Sequence, residues 1–159
     1  MLALDAELHL LGPRGWRTVR ADEFFQGLFA VDMAPDEILV RIRFAPVRTA
    51  AYAKLHQRAS HFAIVGVAAA LDIEDGFVRA ARVALTGATS YARRLPAVER
   101  ALAGRPLTPA AIEEAAAIAG DGLEDITSDL HASAEYRRAM ICVFARRALE
   151  RARVRASSA

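Results

Sequence analysis

Apolar and polar positions alternate at the start of the chain, with Leu4, Ala6, Leu8 and Leu10 on one face and Asp5, Glu7 and His9 on the other. A period of two is that of a half-buried strand, so a strand is predicted over residues 2–11. Gly12-Pro13-Arg14-Gly15 turns the chain, and 16–19 reads as the returning strand of a hairpin whose loop exceeds the favoured two residues. Asp22 is placed to cap a single helical turn that Gly27 ends. Asp36-Glu37 then leads into 38–44, a β-branched strand stopped by Pro46.

Strand pattern breaks off over 46–50 and resumes at Tyr52, which marks an internal boundary. Residues 61–72 are almost continuously apolar. Such a run is a strand covered on both faces, or a helix if Ala68-Ala69-Ala70 dominates; Ile64, Val65 and Val67 favour the strand. Glu74-Asp75-Gly76 is a hairpin signal with 77–86 as its partner strand. From Leu95 the period turns helical: Leu95, Val98, Ala101 and Leu102 share a face and Gly104 ends it. Thr108 followed by Pro109 is an N-cap and first-turn pair, ahead of a stripe of Ile112, Ala115, Ala116 and Ala119 that Gly120 and Gly122 close. Ser133 opens the longest helix, with Tyr136, Met140, Val143, Phe144 and Leu149 expected inward and the paired arginines outward. Strands first and helices afterwards predict an α+β fold: a three-stranded antiparallel sheet with a C-terminal three-helix layer, preceded by a β-rich subdomain.

Composition narrows the function classes. The chain has 159 residues, 54% of them apolar, enough for a real core. Its net charge of +2 comes from interspersed acids and bases, so no stripe for phosphates emerges and nucleic acid is not an expected partner. The single cysteine, Cys142, excludes an internal disulfide and any four-cysteine metal site. No apolar run nears the roughly 20 residues of a membrane span, and the first residues, Met1-Leu2-Ala3-Leu4-Asp5, lack the basic start of a signal peptide. The cytoplasm is the expected compartment. His9, His56, His61 and His131 form no close metal-ligand motif, and phosphate-loop, dinucleotide and nucleophile-elbow patterns are missing. The adjacent acids Asp22-Glu23 and Asp36-Glu37 diverge in direction, so neither is an acid–base couple.

The junction 51–68 carries the one informative cluster. Lys54 is the only lysine among arginines; a solvated surface role is its bland reading, a compact ammonium kept for a purpose the sharper one. His61-Phe62 lies where a polar loop meets an apolar strand, a place from which side chains reach a ligand. Spacing alone favours Phe62 as the first core residue of that strand, with a ring-stacking role as the alternative.

The same residues carry a family resemblance. Leu4-Asp5-Ala6, Gly15-Trp16-Arg17-Thr18-Val19, Phe24-Phe25-Gln26-Gly27 and Asp36-Glu37-Ile38-Leu39 resemble the end of the flavin-binding region in the medium subunit of molybdenum hydroxylases, the carbon monoxide dehydrogenase and xanthine dehydrogenase family. Tyr52-Ala53-Lys54, the run 58–65, and the closing Ser133-Ala134-Glu135-Tyr136-Arg137-Arg138 are similar to the rest of that subunit. The resemblance implies a C-terminal remnant of an FAD-binding subdomain over 1–47, the flavoprotein C-terminal domain over 50–153 and a disordered tail over 154–159. By the same resemblance Leu39 is an apolar contact, Lys54 a cation at the flavin's polar edge and Phe62 a residue beside the isoalloxazine ring. His61 departs from the Asp common in the family.

Family members hold the FAD diphosphate with glycine-rich loops, and this sequence contains no two adjacent glycines. The flavin site is therefore expected to be incomplete in this chain. The resemblance implies electron transfer from iron–sulfur clusters through FAD to an external acceptor. A large molybdenum-binding subunit and a small subunit with 2Fe-2S clusters would be partners, and a separate N-terminal FAD-binding chain would supply the missing half. No independent activity is expected of the chain alone. The alternatives are a flavin-free docking or assembly module, or an inactive truncated product.

Overall fold

A computed structural model describes residues 1–156. They form a mixed α/β fold with antiparallel sheets and four helices. The predicted first strand is shorter than its alternation implies. Leu2–Leu4 make a 3-10 turn and Asp5 takes a left-handed φ of 45°, so β1 spans only Glu7–Gly12. Gly12 pairs with Gly15 at the head of β2 (Gly15–Arg20), leaving Pro13-Arg14 as a two-residue turn rather than a longer one. Gly15 absorbs the reversal with φ 97°. The helical turn α1 (Ala21–Phe24) starts one residue before Asp22, which pairs with Arg20 instead of capping. Short strands β3 (Phe25–Gly27) and β4 (Ala30–Val31) pair with each other, and β5 (Ile38–Arg43) returns to the free edge of β1, giving the order β2-β1-β5.

The larger sheet has four strands where the sequence predicts three. β6 (Ala50–His56), β7 (Ala63–Glu74) and β8 (Phe77–Thr86) form the expected hairpins, with Asp75 and Gly76 both at positive φ, and the two-residue β9 (Arg93–Arg94) adds an edge. After it come α2 (Pro96–Leu102), α3 (Pro109–Ala117) and α4 (Ala134–Ala156). Thr108 caps α3, its hydroxyl accepting from the Ala111 N–H, and Ser133 does the same for the Tyr136 N–H at the head of α4.

Alternate residues of β7 and β8 serve two cores, which explains the unbroken apolar run. Val65, Val67, Val83 and Leu85 pack with Val98, Leu102, Ile112, Ile141, Phe144 and Leu149 of the helices. Ala70 and Ala84 join a second cluster with Leu2, Leu8, Leu10, Val19 and Phe24. Two expectations for α4 fail in its first turn. Tyr136 is exposed, whereas Arg137 is 2% exposed, because carbonyl groups from other elements converge on its guanidinium. The helix also continues through Ala156, so 154–156 are not a disordered tail; 157–159 lie outside the described residues. No helix among the described residues is long and apolar enough to cross a membrane.

Candidate functional site

The loop joining β6 to β7, residues 57–62, is built by its own polar groups. The Gln57 side-chain carbonyl accepts from both the N–H and the hydroxyl of Ser60. The Gln57 N–H donates to the Phe62 carbonyl (2.8 Å) and the His61 N–H to the Gln57 carbonyl (2.9 Å). These bonds curl the chain and leave His61 with φ 59°. Histidine, like Asp and Asn, is among the residues that tolerate the left-handed region. His61 can thus stand where the resemblance leads one to expect Asp, keeping the backbone shape while exchanging a carboxylate for an imidazole.

Three of the four sequence-predicted residues meet on this hairpin. The Lys54 ammonium donates to the His61 carbonyl at 3.0 Å, which ties the strand to the loop and leaves two further N–H donors. The His61 ring stacks on His56, with centroids 5.1 Å apart and planes 10° from parallel. Phe62 is 77% exposed, so it is not the first core residue that spacing favours; pairing begins only at Ala63, after the loop's hydrogen bonds are complete. Leu39 is not among them. It lies on β5 in the other sheet, 41% exposed, with Ile38, Val40 and Ile42 also exposed.

Period two along β6 places Tyr52 and His56 on the Lys54 face, a signal the sequence itself carries. Tyr52 reaches along the sheet because Gly66 has no side chain; a Cβ there would lie 2.3 Å from the phenol oxygen. Burial pushes the Tyr52 phenol up from its ordinary pKa. Tyr52 also lines a cleft of about 600 Å³ with Leu4, Phe25, Ala68, Ala84 and Arg155.

A second polar group sets the approach to β5. The Arg17 guanidinium forks onto Glu37 (Nε to Oε1 2.7 Å, Nη2 to Oε2 2.8 Å) and reaches Asp32 (3.0 Å). Glu37 also accepts from the Ala34 N–H at 2.7 Å. Together the Arg17 hydrogen bonds and then the Ala34 N–H hold the Glu37 carboxyl well below its usual range, at about 2. In the sequence this acid reads as a strand opener, and only the fold reveals its partner 20 positions away.

An exposed aromatic ring, an ammonium held on the loop's backbone and a stacked imidazole suit the edge of a planar ring system. A diphosphate would need backbone N–H groups gathered in a glycine-rich loop, and the hairpin offers none of that kind.

Residues 50–152 match the CO dehydrogenase flavoprotein C-terminal domain family. The nicotine 6-hydroxylase medium subunit of Paenarthrobacter nicotinovorans is 32% identical over 98% of this chain and 55% of its own length. The carbon monoxide dehydrogenase medium chain of Hydrogenophaga pseudoflava is 34% identical over 95% of this chain and 53% of its own. A solved structure of the Hydrogenophaga pseudoflava carbon monoxide dehydrogenase, lacking the Mo-pyranopterin moiety of its molybdenum cofactor, superposes with a TM-score of 0.88 at 34% identity, covering 97% of this chain and 54% of that one. Quinoline 2-oxidoreductase from Pseudomonas putida 86 gives 0.86 at 27% identity over 98% and 55%. The chain therefore spans about half the length of the curated relatives it matches.

Proposed function

This chain belongs to the CO dehydrogenase flavoprotein C-terminal domain family of molybdenum hydroxylase medium subunits, and on that premise we propose that it forms one wall of an FAD site. Bound FAD would take electrons from iron–sulfur clusters and hand them to an external acceptor. The residues of this chain would position and shield it. Phe62 would cover the ring and exclude water, and Lys54 would hold positive charge at the polar edge, favouring a reduced, anionic flavin. Leu39 would add an apolar contact from the other sheet. His61 would place an imidazole where the family commonly has a carboxylate.

The observation that carries this reading is the convergence of Lys54, His61 and Phe62 on one hydrogen-bonded hairpin, with the aromatic ring turned out to solvent. We read residues 1–47 as the end of the flavin-binding subdomain and 50–153 as the C-terminal domain, with helices α2–α4 layered on one face of its sheet. The portion of the relatives that this sequence does not span would bring the diphosphate-binding loops and would cover the exposed strand β5, whether joined to this chain or carried by a separate one. A large molybdenum-binding subunit and a small 2Fe-2S subunit complete the assembly, in the cytoplasm, and the large subunit selects the substrate.

The test is the visible absorbance of flavin in two preparations: the chain alone, and the chain assembled with the flavin-binding portion of a relative's medium subunit. The expected result is no flavin in the first and about one per assembly in the second. Stoichiometric flavin on the chain alone would refute the need for the glycine loops. An assembled complex free of flavin would sink the flavin reading and leave a docking module.

A further inference from the structure

We infer that Arg137 is the positioning group for the flavin-facing hairpin, acting through the carbonyls of Ile64 and Gly87. The inference rests on the reading above for what the hairpin faces, but its geometry stands alone. Arg137 sits in the first turn of α4, almost wholly buried. Its Nη1 donates to the Ile64 carbonyl at 2.7 Å and to the Gly87 carbonyl at 2.9 Å. Its Nη2 donates to Asp129 Oδ2 at 2.6 Å, and its Nε to the Ala132 carbonyl at 3.4 Å. Asp129 is fixed in turn, its Oδ1 accepting from the N–H groups of His131 (2.9 Å) and Ala132 (3.1 Å).

A guanidinium is retained in such a place only when its donors are met, since a buried unpaired charge is strongly unfavourable. Anchoring the head of α4 needs only Asp129 and Ala132. The two remaining bonds leave the helix head: one goes to Ile64 at the start of β7, and one to Gly87, just past the end of β8. Ile64 follows Phe62 by two residues. Gly87 is pressed against the neighbouring residue so closely that a Cβ on it would lie 2.2 Å from the Ala63 carbonyl oxygen. The β6–β7 ladder is meanwhile interrupted by a register shift between Leu55 and His56. Where strand pairing is irregular, the guanidinium supplies the donors that hold the backbone, so a residue in the last helix sets the pose of Phe62 and His61.

The experiment compares amide hydrogen exchange of the chain alone in Arg137→Gln, Arg137→Lys and the control Arg138→Gln, whose guanidinium bonds Gly120 and Leu123 instead. Arg137→Gln is expected to speed exchange in 57–64 by about tenfold or more, the lower end of what a hydrogen bond to a charged group is worth, with α3 unchanged. Arg137→Lys should fall between, since one ammonium cannot reach Ile64, Gly87 and Asp129 together. If Arg137→Gln does not fold, Arg137→Lys carries the test. Wild-type exchange in 57–64, or an equal rise in α3, overturns the inference. In the assembled complex, Arg137→Gln should lower flavin occupancy while Arg138→Gln does not, and equal occupancy in the two overturns the link to the flavin edge. No flavin even with the unaltered chain counts against the flavin reading alone and leaves the exchange result standing.

Discussion

Residues 50–156 and residues 1–44 solve the problem of burial in opposite ways. The first region closes its core: the larger sheet meets three helices on one side and the N-terminal segment on the other. The second buries Leu8, Leu10 and Val19 but leaves β5 with apolar side chains exposed on both faces, and Phe29 99% exposed in the β3–β4 turn. A strand apolar on both sides is a strand written for contact on both sides. The difference separates a sheet covered on both faces, by the helices and by the N-terminal segment, from a strand whose apolar side chains stay exposed.

The sharpest way to break that comparison is a pair of truncations. Leu149→Ala, in the closed core, is expected to cost about 2–5 kcal/mol, read by urea denaturation. Ile42→Ala, on β5, should stay within about 0.5 kcal/mol in the chain alone, as substitutions outside a packed core do. Equal costs would mean that Ile42 is packed as tightly as the closed core, and the contrast would vanish.

A smaller effect tests how the open region is held. It relies on polar staples, of which Arg17 with Glu37 and Asp32 is the largest. Because the Glu37 carboxyl is held at about 2, well below its ordinary value, its contribution is fully present above the unfolded pKa. It is lost as pH falls through the folded one. Glu37→Gln should therefore lower the melting temperature at neutral pH by less than Leu149→Ala does. The gap to the unaltered chain should narrow steadily between about pH 5 and pH 2. A gap that is constant with pH would show that the carboxylate charge is not what matters.

The two regions also differ in how much the sequence discloses. Hairpin β7–β8 and helices α2 and α3 were legible because their signals are local: Asp75-Gly76 at the turn, Thr108-Pro109 at a helix start, Gly104 at a helix end. Lys54, His61 and Phe62 were legible as a group because one hairpin carries all three. What stayed hidden depends on distant partners. Arg137 looks like a solvated helix residue until the Ile64 and Gly87 carbonyls, 73 and 50 positions away, are brought to it. Glu37 looks like a strand-opening acid until Arg17 folds over it. Phe62 reads as core because its neighbours are apolar, and only the hydrogen bonds of 57–62 show that strand pairing starts after it.

The smallest expected effect lies at the hairpin itself, where stability and function should part. Lys54 is exposed and donates to the His61 carbonyl, so Lys54→Met should change the stability of the chain by no more than about 0.5 kcal/mol. In the flavin-loaded assembly the same change removes a positive charge from the edge at which reduction builds negative charge, so the potential should fall. An exposed charge interaction of roughly 0.5–1 kcal/mol is worth about 10–20 mV over two electrons. Lys54→Arg separates the two contributions of the residue: it restores the charge, and with it the potential, even if its planar fork reaches the His61 carbonyl less well. A potential that falls equally in both variants would trace the effect to the hairpin's shape. One that moves in neither would take Lys54 out of the site, leaving Phe62 and the imidazole pair as the only features that set this hairpin apart from an ordinary turn.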